Sequence, residues 1–296
     1  MDLKTYLSDK RMIVDEALEK IFPHIEDPSA DIVTAMNHSL FAGGKRLRPI
    51  LCMAGAEAVG GEGRAVLPVA CALELIHTYS LIHDDLPIMD DDDMRRGKPT
   101  NHKVFGEALA LLAGDGLLTE AFHAMALLDT SGGVNPLALL KVIALVAEAV
   151  GYRGMVGGQV VDIQSEGKDV DFPLVEFIHA HKTGALLTVS IASGAILGGG
   201  DDNQVKALTE YGRKIGLAFQ IADDILDIEG DSEEMGKSLG GDVEKKKITY
   251  PLVIGLERSK AIQKEIIDQA LETLKSFNRS ADPLRQIAVY IIERKK

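Results

Sequence analysis

Apolar residues in this chain recur three and four positions apart far more often than at every second position. The run at 138–148, Ala-Leu-Leu-Lys-Val-Ile-Ala-Leu-Val-Ala-Glu, shows the habit, and alternating runs of Val, Ile and Thr are rare. That period predicts α-helices throughout. Pro49, Pro68, Pro87, Pro99, Pro136, Pro173 and Pro251, with the glycine pairs at 43–44, 60–61, 132–133 and 157–158, supply the punctuation. Their spacing leaves room for about ten helices of about 11–20 residues. No internal repeat and no Pro- or Ser-rich linker interrupts the chain, so one all-α domain over residues 1–296 is expected. The stretch 229–247 departs from the pattern, with almost no apolar residue and four glycines. A polar loop of that length inside a compact domain is usually functional or disordered.

Composition narrows the function. Lys and Arg number 32 against 45 Asp and Glu, a net charge of −13. Nucleic-acid binding and electrostatic attraction to anionic membranes both need a positive footprint and are disfavoured. The longest apolar candidates, 108–128 and 185–199, are broken by Asp115, Glu120 and His123 or diluted with Thr, Ser and Gly, so no membrane span is expected. Cys52 and Cys71 lie in apolar segments without metal-ligand spacing and read as small buried side chains. The N-terminus has no basic region followed by an apolar stretch, which points to a cytoplasmic protein.

The acid itself is concentrated. Nine aspartates fall in 84–93 and 223–227. In the second cluster Gln220, Asp223, Asp224 and Asp227 stand at i, i+3, i+4 and i+7, one stripe of a helix whose other faces are apolar. Three carboxylates on such a stripe repel one another, and divalent metal relieves the repulsion. In the first cluster His77 and Asp84 share a helical face, and Pro87 disfavours helix at Leu86, so the chain should turn and can bring Asp90 back beside Asp84. Asp92 and Asp93 taken alone read as a solvated loop.

Neither cluster has EF-hand spacing. Oxygen-only ligands from two helices suit Mg²⁺ shared with a phosphorylated substrate. That predicts cations nearby, and Lys45, Arg46, Arg48, Arg95, Arg96, Lys98, Lys182, Lys237 and 245–247 supply them. Gly230 to Lys237 fails as a P-loop, with five residues between its glycines, three of them acidic, and no preceding strand.

The motifs GGKRLRP, DDLPIMDDDDMRRG, KT at 182–183, FQIADDILD and GKSLGGD, in that order, resemble the short-chain trans-prenyl diphosphate synthases, in particular the bacterial farnesyl diphosphate synthase branch, over nearly the whole chain. The resemblance implies a single-domain isoprenoid synthase fold, with ten or more helices around a central catalytic cavity. It implies three Mg²⁺ ions, with Mn²⁺ able to stand in, held on an allylic diphosphate by Asp84, Asp85 and Asp90 on one wall and Asp223, Asp224 and Asp227 on the other. Lys45, Arg48, His77 and Arg96 would bind isopentenyl diphosphate; Arg95, Lys182, Thr183, Gln220 and Lys237 would serve the allylic substrate, dimethylallyl or geranyl diphosphate. Arg46 and Lys98 read as solvated charges, and His83, His179 and His181 as core or surface residues rather than ligands. Commonly, members of this family are homodimers.

The chemistry so implied is ionisation of the allylic diphosphate, attack on the carbocation by the double bond of isopentenyl diphosphate, and loss of a proton to the released diphosphate. Oxygen dipoles near Lys182, Thr183 and Gln220 would face the cation, and water must be kept out. The 229–247 loop would act as a lid with Lys237 docking on diphosphate; where the family usually has a lysine, this chain has Gly241, which leaves closure to Lys237, Lys247 and Lys245 or Lys246. Helical geometry places Ser80 one turn below Asp84. The resemblance instead makes Tyr79, the fifth residue before the motif, the floor that stops elongation at fifteen carbons, although the phenylalanine that often accompanies such a floor in other branches is absent. A geranylgeranyl diphosphate synthase shares every catalytic residue and differs in the floor. In a terpene cyclase GGKRLRP and Arg96 would have no second diphosphate to bind, and a non-catalytic subunit would have lost an aspartate motif.

Overall fold

A computed structural model describes residues 2–22, 26, 28–131, 133–168, 171–229 and 249–293. The chain begins with α1 (Leu3–Leu18), α2 (Ala30–Leu40), α3 (Leu47–Ala58) and α4 (Leu67–Asp84). A two-stranded antiparallel hairpin, β1 (Met94–Arg95) and β2 (Lys98–Pro99), leads into α5 (Asn101–Phe105), α6 (Glu107–Ala126), α7 (Pro136–Val150), α8 (Met155–Ser165) and α9 (Phe172–Ile178). One π-helical turn, His179–Gly184, joins α9 to α10 (Ala185–Leu197). Then follow α11 (Asp202–Glu229), α12 (Tyr250–Ile254), α13 (Leu256–Thr273) and α14 (Asp282–Glu293).

The all-helical expectation holds, and the prolines explain several starts. Pro68, Pro136, Pro173 and Pro251 sit in the first turns of α4, α7, α9 and α12, where a missing N–H breaks no intrahelical bond. The hairpin and the π turn are additions that periodicity did not reveal. Nor do Gly157 and Gly158 separate two helices as their pairing suggested, because both lie inside α8. A Cβ on Gly158 would stand 2.3 Å from the backbone nitrogen of Lys182, so this glycine lets α8 press against the π turn.

Two helices are apolar nearly all round and therefore central. In α4 every residue from Val69 to Ile76 is buried, and in α10 so are Leu186, Leu187 and nearly all of 189–197. The segment 63–84 is long and apolar enough to cross a membrane, but two-thirds of its apolar window is buried among the other helices, as in the core helix of a globular domain. One core cluster gathers α1, α2, α4, α6 and α7. A second gathers α3, α10, α11, α13 and α14, and the two meet along α3 and α10. The crossing of α3 and α10 is unusually close, since a Cβ on Gly194 would lie 1.8 Å from the carbonyl oxygen of Cys52. Cys52 and Cys71 are buried and unbonded to each other, as expected.

Candidate active site

The first aspartate cluster stands where α4 ends. Helix α4 stops at Asp84, two residues before Leu86 and its following proline, and the chain doubles back so that the N–H of Asp90 donates to the carbonyl of Asp84 at 2.8 Å. The return predicted from Pro87 is thus real, and Asp84 and Asp90 lie half-buried side by side. Asp85 is buried, its Oδ1 accepting from Arg95 Nε at 2.6 Å, and Arg95 also reaches Asp92 at 3.2 Å. Burial lowers the Arg95 pKa, but the carboxylates of Asp85, Asp92 and Asp84 outweigh it and leave it raised.

The second cluster is on α11, and the structure divides its stripe. Asp223 and Asp227 are half-buried, whereas Asp224 is 3% exposed. Its Oδ2 meets His179 Nε2 at 2.8 Å and accepts from the N–H of Tyr250 at 2.9 Å, and the His179 ring stacks on Tyr250. Asp224 therefore ties α11 to the π turn and to the start of α12. His179 is a core residue, as its reading allowed, and His181 stacks on Phe177 at the surface.

A polar chain connects the two clusters through residues the sequence reading passed over. Gln159 Nε2 donates to Asp84 Oδ1 at 3.0 Å, and one turn later on α8 Asp162 accepts from Lys182 Nζ at 2.6 Å. Thr183 Oγ1 then donates to Gln220 Oε1 at 2.8 Å, and Gln220 Nε2 approaches Asp224 at 3.4 Å. Gln159 and Asp162 had a signal, two polar residues three apart in Met-Val-Gly-Gly-Gln-Val-Val-Asp-Ile. The π turn aims Lys182 and Thr183 in different directions, toward α8 and α11. Ser80 donates back to the carbonyl of His77 at 2.9 Å, while Tyr79 is 6% exposed and its phenol is pushed up to about 12 by burial and then by Asp84.

The cations form two sets. Arg46, read as a solvated charge, is the clearest correction: it is 3% exposed and pairs with Asp15 at 2.7 Å and Glu74 at 2.9 Å, with a further bond to the Leu40 carbonyl at 2.8 Å. Its backbone is left-handed (φ 51°) at the start of α3, so the side chain turns inward between Lys45 and Arg48. Among the described residues, Arg48 has no such partners. Its Nε is buried without a hydrogen bond among the described residues, and burial with the neighbouring charge of Arg96 pulls its pKa down to about 10. Glu74 and, from α11, Asp223 act in the opposite direction. Arg96 is exposed, yet partial desolvation of its guanidinium lowers its pKa, and that group donates to the Gly43 carbonyl across Gly44, where any Cβ would strike it. His77 is held well below its ordinary pKa by burial and by Arg48, Arg96, Arg95 and Arg46. Lys45 is exposed at the rim, and Lys98 is exposed beyond it.

Among the described residues, three metal-capable side chains within 4.8 Å of one another occur at Asp91, Asp93 and His102, not within the six predicted ligands. Those six come from the end of α4 with the turn that follows it and from α11, and Asp85 and Asp224 are turned toward Arg95 and His179. Asp93 is bound by Lys103 at 2.7 Å, as befits its solvated reading. Lys237, Gly241, Lys245, Lys246 and Lys247, and the lid assigned to 229–247 apart from Glu229, lie outside the described residues.

The polyprenyl synthetase family model matches residues 30–288. The chain belongs to that family. The large subunit 1 of a heterodimeric chloroplastic geranylgeranyl pyrophosphate synthase from Arabidopsis thaliana is 48% identical to this synthase, over 99% of this chain and 80% of that one. A farnesyl diphosphate synthase of Geobacillus stearothermophilus is 46% identical over 99% and 97%. Among solved structures, a geranylgeranyl pyrophosphate synthetase from Pyrococcus horikoshii superposes with a TM-score of 0.90 at 32% identity, covering 99% of this chain and 98% of that one. This prenyl diphosphate synthase therefore has the isoprenoid synthase fold, and its activity is that of a trans-prenyltransferase.

Proposed function

We propose that this enzyme condenses isopentenyl diphosphate with dimethylallyl and then geranyl diphosphate, releasing farnesyl diphosphate and diphosphate. The observation that carries the reading is the under-neutralised set Arg48, Arg96 and His77 beside half-buried carboxylates, with a buried guanidinium nitrogen that has no partner among the described residues. Such a set suits a multiply charged anion. Lys45, Arg48, His77 and Arg96 would take the diphosphate of isopentenyl diphosphate and hold its double bond near the allylic carbon, making the encounter effectively intramolecular. Arg95, Lys182, Thr183 and Gln220 would face the allylic diphosphate, Arg95 and Lys182 being oriented by Asp85 and Asp162. The carboxylate-only donors Asp84, Asp85, Asp90, Asp223, Asp224 and Asp227 fit Mg²⁺, three ions per site, with Mn²⁺ as a substitute. Mg²⁺, when bound, would neutralise the charge gathering on the departing diphosphate.

Tyr79 supports fifteen carbons, since a buried neutral phenol five residues before Asp84 can close the apolar end of the site. The geranylgeranyl synthases among the relatives favour a second reading, a C20 product. Exposed Leu111, Leu112, Leu137 and Leu140 on α6 and α7 support a homodimer, and a cytoplasmic location is part of the same proposal. Incubation with isopentenyl and dimethylallyl diphosphates and Mg²⁺, read by mass spectrometry, should show C15 as the main product and none after chelation. Absence of any prenyl product, or indifference to chelator, would remove the reading; a C20 product would replace its last step.

A further inference from the structure

We infer that the chain-length floor is a braced pair, in which His83 holds Tyr79 upright from a notch in α6. This rests on the reading of Tyr79 as the floor. Tyr79 and His83 are one turn apart on α4, so their side chains share a face. Their rings meet edge to face, centroids 5.6 Å apart at 79°. The imidazole is itself fixed from behind: its Nε2 lies 2.9 Å from the Leu111 carbonyl of α6, which can only accept, so Nε2 carries the proton.

The notch explains a glycine that the helix would otherwise disfavour. Glycine in a helix interior is less favourable than alanine by about 0.8–1 kcal/mol, and Gly114 sits in the middle of α6. A Cβ there would fall 2.1 Å from His83 Nε2 and 2.4 Å from its Cδ2, so the absence of a side chain is what admits the ring. The ring lodged at Gly114 sets its edge geometry against Tyr79, and it is this aromatic contact that braces the phenol. Neither His83 nor Gly114 touches the diphosphate-binding cations among the contacts described above, so His83 acts on product length through Tyr79 and is a positioning residue.

The test is the ratio of C20 to C15 product, which is independent of total turnover. In the full-length enzyme, His83→Ala frees the space beside Tyr79 and should raise that ratio about fivefold, the scale of one aromatic edge contact. His83→Leu, which fills the notch but offers neither donor nor aromatic ring, should move it the same way and serves if the alanine variant does not fold. In a Tyr79→Ala background, where the ratio is already raised, His83→Ala should add nothing further, because it acts through the missing ring. If Tyr79→Ala lengthens the product while both His83 variants leave the ratio unchanged, the brace is wrong and the floor stands. If His83→Ala raises the ratio equally with and without Tyr79, the brace is also wrong. An unchanged ratio in Tyr79→Ala itself would remove the floor and the brace together.

Discussion

Arg46 and Arg48 are two residues apart and have opposite surroundings. Around Arg46, positive and negative charge are matched: Asp15 from α1 and Glu74 from α4 close on one guanidinium, whose pKa burial lowers and whose two carboxylate partners more than restore. Around Arg48 they are not matched. Arg96 and His77 crowd it, and its Nε lacks a partner among the described residues. The first arrangement locks α3 to α1 and α4; the second leaves positive potential for a ligand to neutralise. Charge that is answered inside the chain supports the fold, and charge that is not answered marks where something must bind.

The comparison can be broken in order of effect. Glu74→Gln removes the buried partner of a buried cation, which should destabilise the protein by about 3–5 kcal/mol and lower the thermal midpoint by about 10 °C. A shift of only a degree or so in calorimetry would reduce the Arg46 cluster to an ordinary surface pair. Arg48→Gln should do the reverse, cutting kcat/KM for isopentenyl diphosphate about 100-fold with the midpoint unmoved or raised. If steady-state kinetics stayed within a factor of two of the parent, Arg48 would not be a substrate ligand.

Asp162→Asn tests the same logic on the allylic side, where Lys182 is matched before substrate arrives. Loss of that anchor should lower kcat/KM for dimethylallyl diphosphate about tenfold and leave the KM for isopentenyl diphosphate nearly unchanged. An equal loss on both substrates would show that α8 supports the whole site rather than Lys182. The smallest effect is at His77. Its folded pKa lies below the ordinary value of about 6.5, so the unfolded chain binds the extra proton first as pH falls. Stability from this group is therefore intact above about pH 6.5 and declines below it, by at most about 1.4 kcal/mol per pH unit. Denaturant titrations of His77→Gln should show a shallower acid-side decline, and curves parallel to the parent would place the proton elsewhere.

Much of the fold was legible because it depends on local rules. Helical period, prolines in first turns and the break at Pro87 all act within a few residues, and the return of Asp90 to Asp84 follows from the last of these. The glycines were harder to read. Gly158 and Gly114 look like breaks or weak spots, yet each marks a place where another element's atoms approach too closely for a Cβ. The π turn at 179–184 was equally silent, because its register is set by packing against α8 and α11 and not by composition. Gln159 and Asp162 escaped for a related reason: a polar pair on an apolar helix says that partners exist, but not which.

The residues themselves determined the family, the helical class and the set of carboxylates and cations from which a diphosphate site can be built. Their types, order and spacing are enough for that. Tertiary structure alone decided which charges are answered. It turned Arg46 inward through a left-handed backbone, gave Asp224 to His179 and Tyr250, and left Arg48 beside Arg96. The reason is physical: a charge's behaviour depends on burial and on partners within a few ångströms, and those partners, Asp15, Glu74 and His179, come from distant stretches of the chain that meet only when the helices pack.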